Sequence, residues 1–343
     1  MIQRLIIVIS LVLVTACGSP STTNANNEGT NNLTSEASTN WSLSEIVPIG
    51  IQGVSPELIK IDNGDFLLLT TSTAQKRVFS SKDGVSFTQL DTVLPIGSDY
   101  SVLQKSDGTW LLYFVAFDMP KPQNNPGGQP APNPGSQPLP NPDGQLLPNP
   151  NQQPAQQMSA VKGKKKIFVS TSVDLISFAE PIFTGIEQPD ESPAWGVPDT
   201  YFDANGNIQM MWVAMVDGER YEVLKTASSI DGINFTENSQ YVIKGGFVDP
   251  YMLEVEESNW VLMLSTTPDD SRLPQEIYMA TSVDGLKWNI DKKPILAKSD
   301  LNYLDPAAVK ISDNQWRIIF SVADKDNAIS GPHQYQTAIL TFN

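Results

Sequence analysis

One phrase recurs five times along this chain and constrains its fold more than any other feature. Each copy holds a two-residue pair, a short strand-like run, a turn rich in Asp, Asn and Gly, and a second apolar strand. The second residue of the pair always lies ten positions before the start of that second strand. Repetition at a fixed spacing predicts an architecture built from one structural unit. The five pairs are Ser55-Pro56, Asp99-Tyr100, Val197-Pro198, Asp249-Pro250 and Asp305-Pro306.

A second phrase, Ser-x-Asp-Gly-x-x-aromatic, follows the first in four copies. The copies begin at Ser81, Ser172, Ser229 and Ser282, and Leu175 replaces the glycine in the second of them. Asp-Gly favours a tight hairpin turn, because Gly accepts a positive φ and Asp binds nearby amides. Each unit is therefore predicted to hold four antiparallel strands, and five units predict an all-β, five-bladed β-propeller over residues 41–343.

The fifth unit lacks its last strand, because the chain ends on a third-strand segment, Gln336–Phe342. The segment 41–49 resembles the fourth-strand segment 288–296 of the unit before it. An N-terminal strand is therefore predicted to complete the last blade and close the ring, which removes open sheet edges.

An insertion interrupts the second unit between its second and third strands. Residues 119–158 contain 12 prolines among 40 residues, with Gln, Asn and Gly filling most of the rest. This composition is typical of low-complexity chain, and we predict a disordered Pro-rich insertion within blade 2.

The N-terminus carries the features of an export signal. Arg4 precedes an apolar run from Leu5 to Val14, and small residues lead into Cys17, the only cysteine of the chain. The Val-Thr-Ala-Cys sequence resembles the lipobox of bacterial lipoproteins. We therefore predict a signal peptide at 1–16, a lipidated Cys17, and a flexible tether over 17–40. The domain is then extracytoplasmic, in the cell envelope, and held to a membrane only through the Cys17 lipid.

The charge of the chain excludes several classes of partner. Without Arg4, the 22 basic residues fall to 21, against 38 acidic ones, which gives a net charge of −17. A strongly negative surface argues against binding to nucleic acid and against electrostatic adhesion to anionic lipid. Cations, neutral glycans and basic partners remain compatible with it, and we expect the partner to be a carbohydrate ligand or an envelope protein.

The five pairs also gather acidic residues. Residues two apart in a strand share a face, so the positions before and after each second residue are expected to point the same way. Each blade supplies one carboxylate at one of these positions. The expected axial ring is Glu57, Asp99, Asp199, Asp249 and Asp305.

Clustered carboxylates repel one another, and three solutions remain open. They bind a cation, keep a proton through a raised pKa, or accept backbone N–H bonds. Calcium suits hard oxygen ligands, with Asp99, Asp249 and Asp305 as candidates. Paired carboxylates also perform glycoside hydrolysis, which makes Asp199, Asp249 and Asp305 the weak catalytic candidates.

Other side chains near the inner strands are candidate ligand contacts. Aromatic rings there either pack in the core or stack on sugars, and both alternatives stay open for Trp195, Tyr201, Tyr251 and Tyr303. His333, the only histidine, lies in a loop expected on the same face as the starts of the inner strands.

The chain resembles the five-bladed propeller glycosidases, which include arabinanases, β-xylosidases and invertases. The resemblance rests on the Asp-Pro pairs at 249–250 and 305–306, on Trp195-Gly-Val-Pro-Asp199, and on the Asp-Gly turns. It implies a central sugar-binding pocket with carboxylates at the starts of the inner strands.

The standard catalytic set of that family does not transfer to this chain. The family's usual general base, in the first Asp-Pro pair, is replaced by Ser55. The usual general acid is a Glu two residues before an inner-strand Pro. The residues at that place are Val54, Ser98, Gly196, Val248 and Leu304.

Two functions follow from this pattern. One is a carbohydrate-binding lipoprotein, which as an enzyme would be a glycoside hydrolase. The other is a non-catalytic scaffold for protein interactions in the envelope.

Overall fold

The computed structural model describes residues 40–71, 77–117, 163–189 and 194–343. The predicted signal peptide, Cys17, the predicted tether up to residue 39 and the Pro-rich insertion lie outside the described residues. Within the described ranges, regular structure consists of β-strands and two single-turn 3-10 helices, Asp270–Arg272 and Lys325–Asn327.

Twenty-one strands are numbered here in chain order. The first two are β1 (Trp41–Leu43) and β2 (Val47–Gln52). Blade 1 holds β3 (Val54–Lys60), β4 (Phe66–Thr71), β5 (Arg77–Ser81) and β6 (Phe87–Leu90). Blade 2 holds β7 (Ser98–Gln104), β8 (Trp110–Phe117), β9 (Lys165–Ser172) and β10 (Ile182–Glu187). Blade 3 holds β11 (Trp195–Phe202), β12 (Ile208–Ala214), β13 (Val223–Ser229) and β14 (Thr236–Lys244). Blade 4 holds β15 (Phe247–Glu256), β16 (Asn259–Thr266), β17 (Ile277–Ser282) and β18 (Asn289–Ile290). Blade 5 holds β19 (Leu301–Ser312), β20 (Gln315–Asp324) and β21 (Gln334–Phe342), together with β1 and β2.

The five sheets confirm the predicted five-bladed, all-β propeller. Each of the first four blades is a four-stranded antiparallel sheet. The first strands of neighbouring blades contact one another in a closed ring, and β19 of the last blade meets β3 of the first. The Pro-rich insertion falls between β8 and β9, the second and third strands of blade 2.

The closing strand is also confirmed. Both β1 and β2 pair antiparallel with β21, and Trp41 lies opposite Phe342. The Trp41 ring contacts Trp316 edge to face at 5.5 Å between centroids, and Phe342 at 4.9 Å. The N-terminal segment thus supplies the outer part of the fifth blade.

The hydrophobic core lies between the blades. Five clusters of buried side chains occupy the five blade junctions, one at each. The cluster that closes the ring packs Leu58, Leu68 and Phe79 of blade 1 against Ile319 and Tyr335 of blade 5. Each fully buried apolar side chain of this size stabilises the fold by about 1.5–3 kcal/mol.

The Asp-Gly turns close the outer hairpins as predicted. In blade 1, Asp83 Oδ1 accepts the N–H groups of Val85 and Ser86, while Ser81 Oγ accepts that of Gly84 at 2.9 Å. The copy without glycine has the same bonds, and Leu175 takes a φ of 57° there. The motif is therefore a local turn device, repeated once in each of four blades.

Candidate functional site

The recurrent pairs form a bulge at the start of every inner strand. Ser55, Asp99, Val197, Asp249 and Asp305 all have a φ between 46° and 52°. At each, the inner strand carries one residue more than its partner strand, as between Val54 and Glu57. A bulge of this kind redirects side chains, and positive φ in non-glycine residues concentrates at functional sites.

This bulge changes how the acidic residues relate to one another. In a regular strand, residues two apart share a face, and the expected ring of acids depended on this period. The period does not hold across the extra residue. The carboxylates therefore form two sets with different hydrogen bonds. The first set is Asp99, Asp249 and Asp305, at the bulge itself, and the second is Glu57 and Asp199, two residues beyond it.

Both sets nevertheless line one axial cavity. Its volume is about 20 Å³, which is space for about one water molecule. All five blades contribute, and the walls also include Tyr100 and Tyr251. The acidic residues that line it are Glu57, Asp99, Asp199, Asp249 and Asp305.

The first set is linked around the cavity by short polar contacts. Ser55 Oγ donates to Asp99 Oδ1 at 2.8 Å, and the Ser55 N–H donates to Asp305 Oδ2 at 2.9 Å. The Asp305 N–H faces Asp249 Oδ2 at 3.3 Å, and Ser321 Oγ donates to Asp305 at 3.1 Å. Ser55 thus joins two carboxylates that belong to different blades.

The second set links each blade to the next. Glu57 Oε1 accepts the backbone N–H of Val102 at 2.8 Å, and Asp199 Oδ2 accepts that of Met252 at 2.7 Å. Each acceptor lies in one inner strand and each donor lies in the following one. These acids therefore satisfy buried backbone groups of a neighbouring blade.

Residues at the same place in two other blades make the equivalent contact without a carboxylate. Ser101 Oγ accepts the Thr200 N–H at 3.0 Å, and the Tyr251 hydroxyl donates to the Ala308 carbonyl at 2.7 Å. Ala307 occupies this place in blade 5 and has no polar group. Four of the five blade junctions are therefore joined in this way.

Burial dominates the protonation of these acids. It raises the pKa of Asp199 to about 8, although the N–H groups of Met252 and Thr200 oppose the shift. Burial, and then the charge of Asp199, raises the pKa of Glu57 well above its usual value. The pKa of Asp249 is also raised, by burial and then by Asp305. The raised pKa of Asp199 favours its uncharged acid form at neutral pH.

Two of the solutions left open by the sequence are therefore present together. Glu57 and Asp199 accept backbone N–H bonds, and Asp199 holds a proton at neutral pH through its raised pKa. Among the described residues, no group of three or more His, Cys, Asp or Glu side chains is arranged to hold a metal ion.

The other predicted ligand contacts lie at different places. Trp195 is buried in the core between blades 2 and 3, beside Trp212 and Tyr113. Tyr303 is buried in the core between blades 4 and 5. His333 is half-buried, its Nε2 lies 2.8 Å from the Ala328 carbonyl oxygen, and it is not among the residues that line the cavity.

Sequence reasoning missed three hydroxyl groups on the second strands. Thr71 Oγ1 accepts the Asp99 N–H at 3.0 Å, and Ser265 Oγ accepts the Asp305 N–H at 3.1 Å. Ser321 binds the Asp305 carboxylate. For Thr71 and Ser265 the signal was a Ser or Thr at or near the end of a strand whose preceding residues are apolar, as in Leu-Leu-Leu-Thr-Thr.

Comparison with solved structures supports the propeller fold but does not establish a ligand or an activity for this chain. An endo-arabinase from Bacteroides thetaiotaomicron VPI-5482 superposes with a TM-score of 0.57 at 11% identity, over 87% of this chain and 96% of that one. An endo-1,4-β-xylanase from the same organism gives 0.53 at 15% identity, over 87% and 90%. An N-acetylgalactosamine deacetylase from F. plautii, in complex with blood group B trisaccharide, gives 0.55 at 11%, over 88% and 95%.

The fold is a five-bladed propeller similar to the solved structures of an endo-arabinase and a xylan β-1,4-xylosidase. No protein-family model matches the sequence, and no curated protein matches it. At these identities the likeness establishes the architecture alone. Within the described ranges, the structure holds no helix with the length and hydropathy needed to cross a bilayer.

Proposed function

We propose that this chain is a lipid-anchored, extracytoplasmic propeller that binds a carbohydrate at the acidic opening of its axial cavity and does not hydrolyse it. The observation that carries the proposal is the convergence of one carboxylate from each blade on a single cavity. Structurally similar propellers include an endo-arabinase, a xylanase and a protein bound to a trisaccharide.

The size of the cavity decides where a sugar would bind. A volume of about 20 Å³ is far below that of a sugar ring, since small-molecule sites usually span about 300–1,000 Å³. A saccharide would therefore lie across the opening. Ser55 and Asp99 are only half-buried there, and their hydroxyl and carboxylate oxygens suit the hydroxyl groups of a sugar.

The same geometry argues against turnover. Glu57 and Asp199 have the raised pKa of a general acid, but each is more than nine-tenths buried and is bonded to a neighbouring blade. The inner strands carry Val54, Gly196 and Val248 where the related hydrolases place a proton donor. The proposed role of the axial acids is therefore binding without hydrolysis.

The anchor is proposed from the sequence. The apolar run, the small residues before Cys17 and the polar segment after it together suit export and lipidation of Cys17. The propeller would then act outside the cytoplasmic membrane, where polysaccharides are available.

A glycan array probed with the full chain in detergent tests the proposal. It is run with and without calcium, because calcium remains the cation that oxygen ligands around Asp99, Asp249 and Asp305 would suit. We expect binding to a restricted set of glycans. Absence of binding to every glycan, in both conditions, would reject the proposal.

A second candidate function is a non-catalytic scaffold for an envelope protein. The observation that favours it is that the axial acids already satisfy neighbouring backbone groups and enclose space for about one water. In that case the acids are structural, and the array shows no binding glycan while the chain remains folded.

A further inference from the structure

Two cavities lined by residues of blade 3 lie away from the axis. One has a volume of about 250 Å³ and lies between the face of blade 3 and the β17–β18 turn of blade 4. A second, of about 660 Å³, lies along the β13–β14 end of blade 3. Gln209 lines both cavities, so they adjoin. Together they form what is called here the blade 3 groove.

The groove lies at the end of the propeller opposite the axial opening. Its walls include the β11–β12 turn at Asp203 and Asn205 and the β13–β14 turn at Asp231, which follow the ends of the first and third strands. The axial pairs lie at the beginning of the first strand. The groove and the axial site therefore cannot share one small ligand.

Aromatic rings form part of the groove wall. Tyr201 and Trp260 meet edge to face, with their centroids 6.0 Å apart and their planes at 90°. Trp260 is half-buried and lines the 250 Å³ cavity together with Leu286, which is 64% exposed. Apolar surface of this kind contacts the C–H faces of sugar rings.

Neutral hydrogen-bonding groups form most of the remaining wall. Amide and hydroxyl side chains predominate, and no lysine or arginine is among the lining residues of either cavity. The lining amides and hydroxyls are Asn205, Asn207, Gln209, Ser228, Ser229, Asn234, Asn238, Thr226 and Thr236.

The three acids of the groove are engaged in turns and stay ionised. Asp203 accepts the Asn207 N–H at 2.9 Å and the Gln209 amide at 3.0 Å. Backbone N–H groups lower the pKa of Asp231 and of Asp284. Three negative charges in a lining that contains no lysine or arginine disfavour an anionic ligand.

We infer that the blade 3 groove is a second binding site that takes a neutral oligosaccharide chain. Its volume, its aromatic wall and its amide-rich, cation-free lining select a polyhydroxylated, uncharged ligand. This inference rests on the groove's own residues and does not depend on the axial site.

Native gels that contain a polysaccharide test the inference with the full chain in detergent. The probes are a neutral arabinoxylan, a neutral β-glucan and the anionic polygalacturonate. We expect at least one neutral polysaccharide to retard the wild-type chain, and polygalacturonate to leave its mobility unchanged. Retardation by polygalacturonate alone, or by none of the three, would overturn the assignment.

Side-chain variants locate the site. Asn205→Ala with Asn238→Ala removes two neutral contacts, and we expect the dissociation constant to rise at least about tenfold. Asn63→Ala, at the same place of the repeat in blade 1, is the matched control and should bind as wild type. Equal binding by the double variant and the wild type would overturn the proposal.

Two further variants separate the possible failures. Trp260→Phe keeps an aromatic ring in the wall but shortens it, and we expect weaker retardation by a variant that remains folded. Asp305→Asn lies in the axial site and reports any retardation that arises there rather than in the groove. Loss of retardation in Asp305→Asn alone would refute the groove while supporting the axial site.

Discussion

The Glu57 carboxylate accepts the backbone N–H of Val102 at 2.8 Å, and so fastens the inner strand of blade 1 to that of blade 2. Asp199 makes the same contact with Met252, from blade 3 to blade 4. An acid at the axis of this propeller thus also serves the packing of its blades. The contribution of these acids to ligand binding must therefore be measured separately from their contribution to blade packing.

The first prediction concerns the pH dependence of stability. The pKa of Asp199 is raised to about 8 in the fold, against about 3.9 in an unfolded chain. The protonated acid therefore contributes stability that is fully present below about pH 4 and is lost as the pH rises through 8. We expect the free energy of unfolding to fall from pH 5 to pH 8, by at most about 1.4 kcal/mol per pH unit for this group.

Urea unfolding at pH 5, 7 and 9 measures this slope. Asp199→Asn keeps an oxygen that accepts the Met252 N–H but does not ionise, so its slope should be flatter than that of the wild type. Asp284→Asn, on an exposed turn, is the control for loss of a negative charge. Identical slopes in Asp199→Asn and the wild type would contradict the burial argument.

The closing strand should contribute measurably to stability. Trp41 is half-buried against Trp316 and Phe342, and truncation of a buried aromatic costs about 3–5 kcal/mol. Because part of the Trp41 ring is exposed, we expect Trp41→Ala to lower the free energy of unfolding by about 2 kcal/mol. Ser42→Ala, on the same strand but exposed, should change it by less than about 0.5 kcal/mol. Similar losses in both variants would argue against closure through Trp41.

The Pro-rich insertion should be dispensable for folding. Its ends leave adjacent antiparallel strands, and loop length affects closure entropy only weakly. Deletion of residues 122–157 should therefore leave the thermal midpoint within about 2 °C of the wild type, as measured by calorimetry. A large fall in the midpoint would mean that the insertion packs on the propeller.

Replacement of Cys17 tests the proposed anchor. Cys17→Ala removes the thiol that would carry the lipid, and stable membrane retention needs more than one acyl chain. We expect the variant to appear in the soluble fraction of a bacterial host, whereas Ser19→Ala, two positions further on, stays with the membranes. Equal membrane retention of both variants would rule out lipidation at this residue.

The architecture was predictable because its signals repeat. The fixed spacing from each pair to its next strand and the Asp-Gly turns predict four strands per blade, and the likeness of segments 41–49 and 288–296 predicts the closing strand. Each of these signals is read from short segments of sequence, so the strand order could be predicted without knowing how the side chains pack.

The details of the axial site were not predictable for physical reasons. Positive φ at Ser55 and Val197 comes from a bulge, and neither residue type favours that conformation. The extra residue broke the two-residue period, so the acids divided into two bonded sets. The volume of the cavity depends on how closely the five inner strands approach one another. The sequence of a single strand does not determine that distance.

The most direct test of whether the axial acids bind a carbohydrate uses variants of these acids and a glycan identified on the array. Asp249→Asn and Asp305→Asn each replace a carboxyl oxygen in the cavity lining with an amide nitrogen while keeping a similar shape, and calorimetric titration measures the dissociation constant of each against the wild type. If the axial acids bind the glycan, we expect binding to weaken at least about tenfold while the thermal midpoint stays close to that of the wild type. Unchanged affinity, with stability lowered by about 1–3 kcal/mol, would show that these acids only hold the blades together and would contradict it.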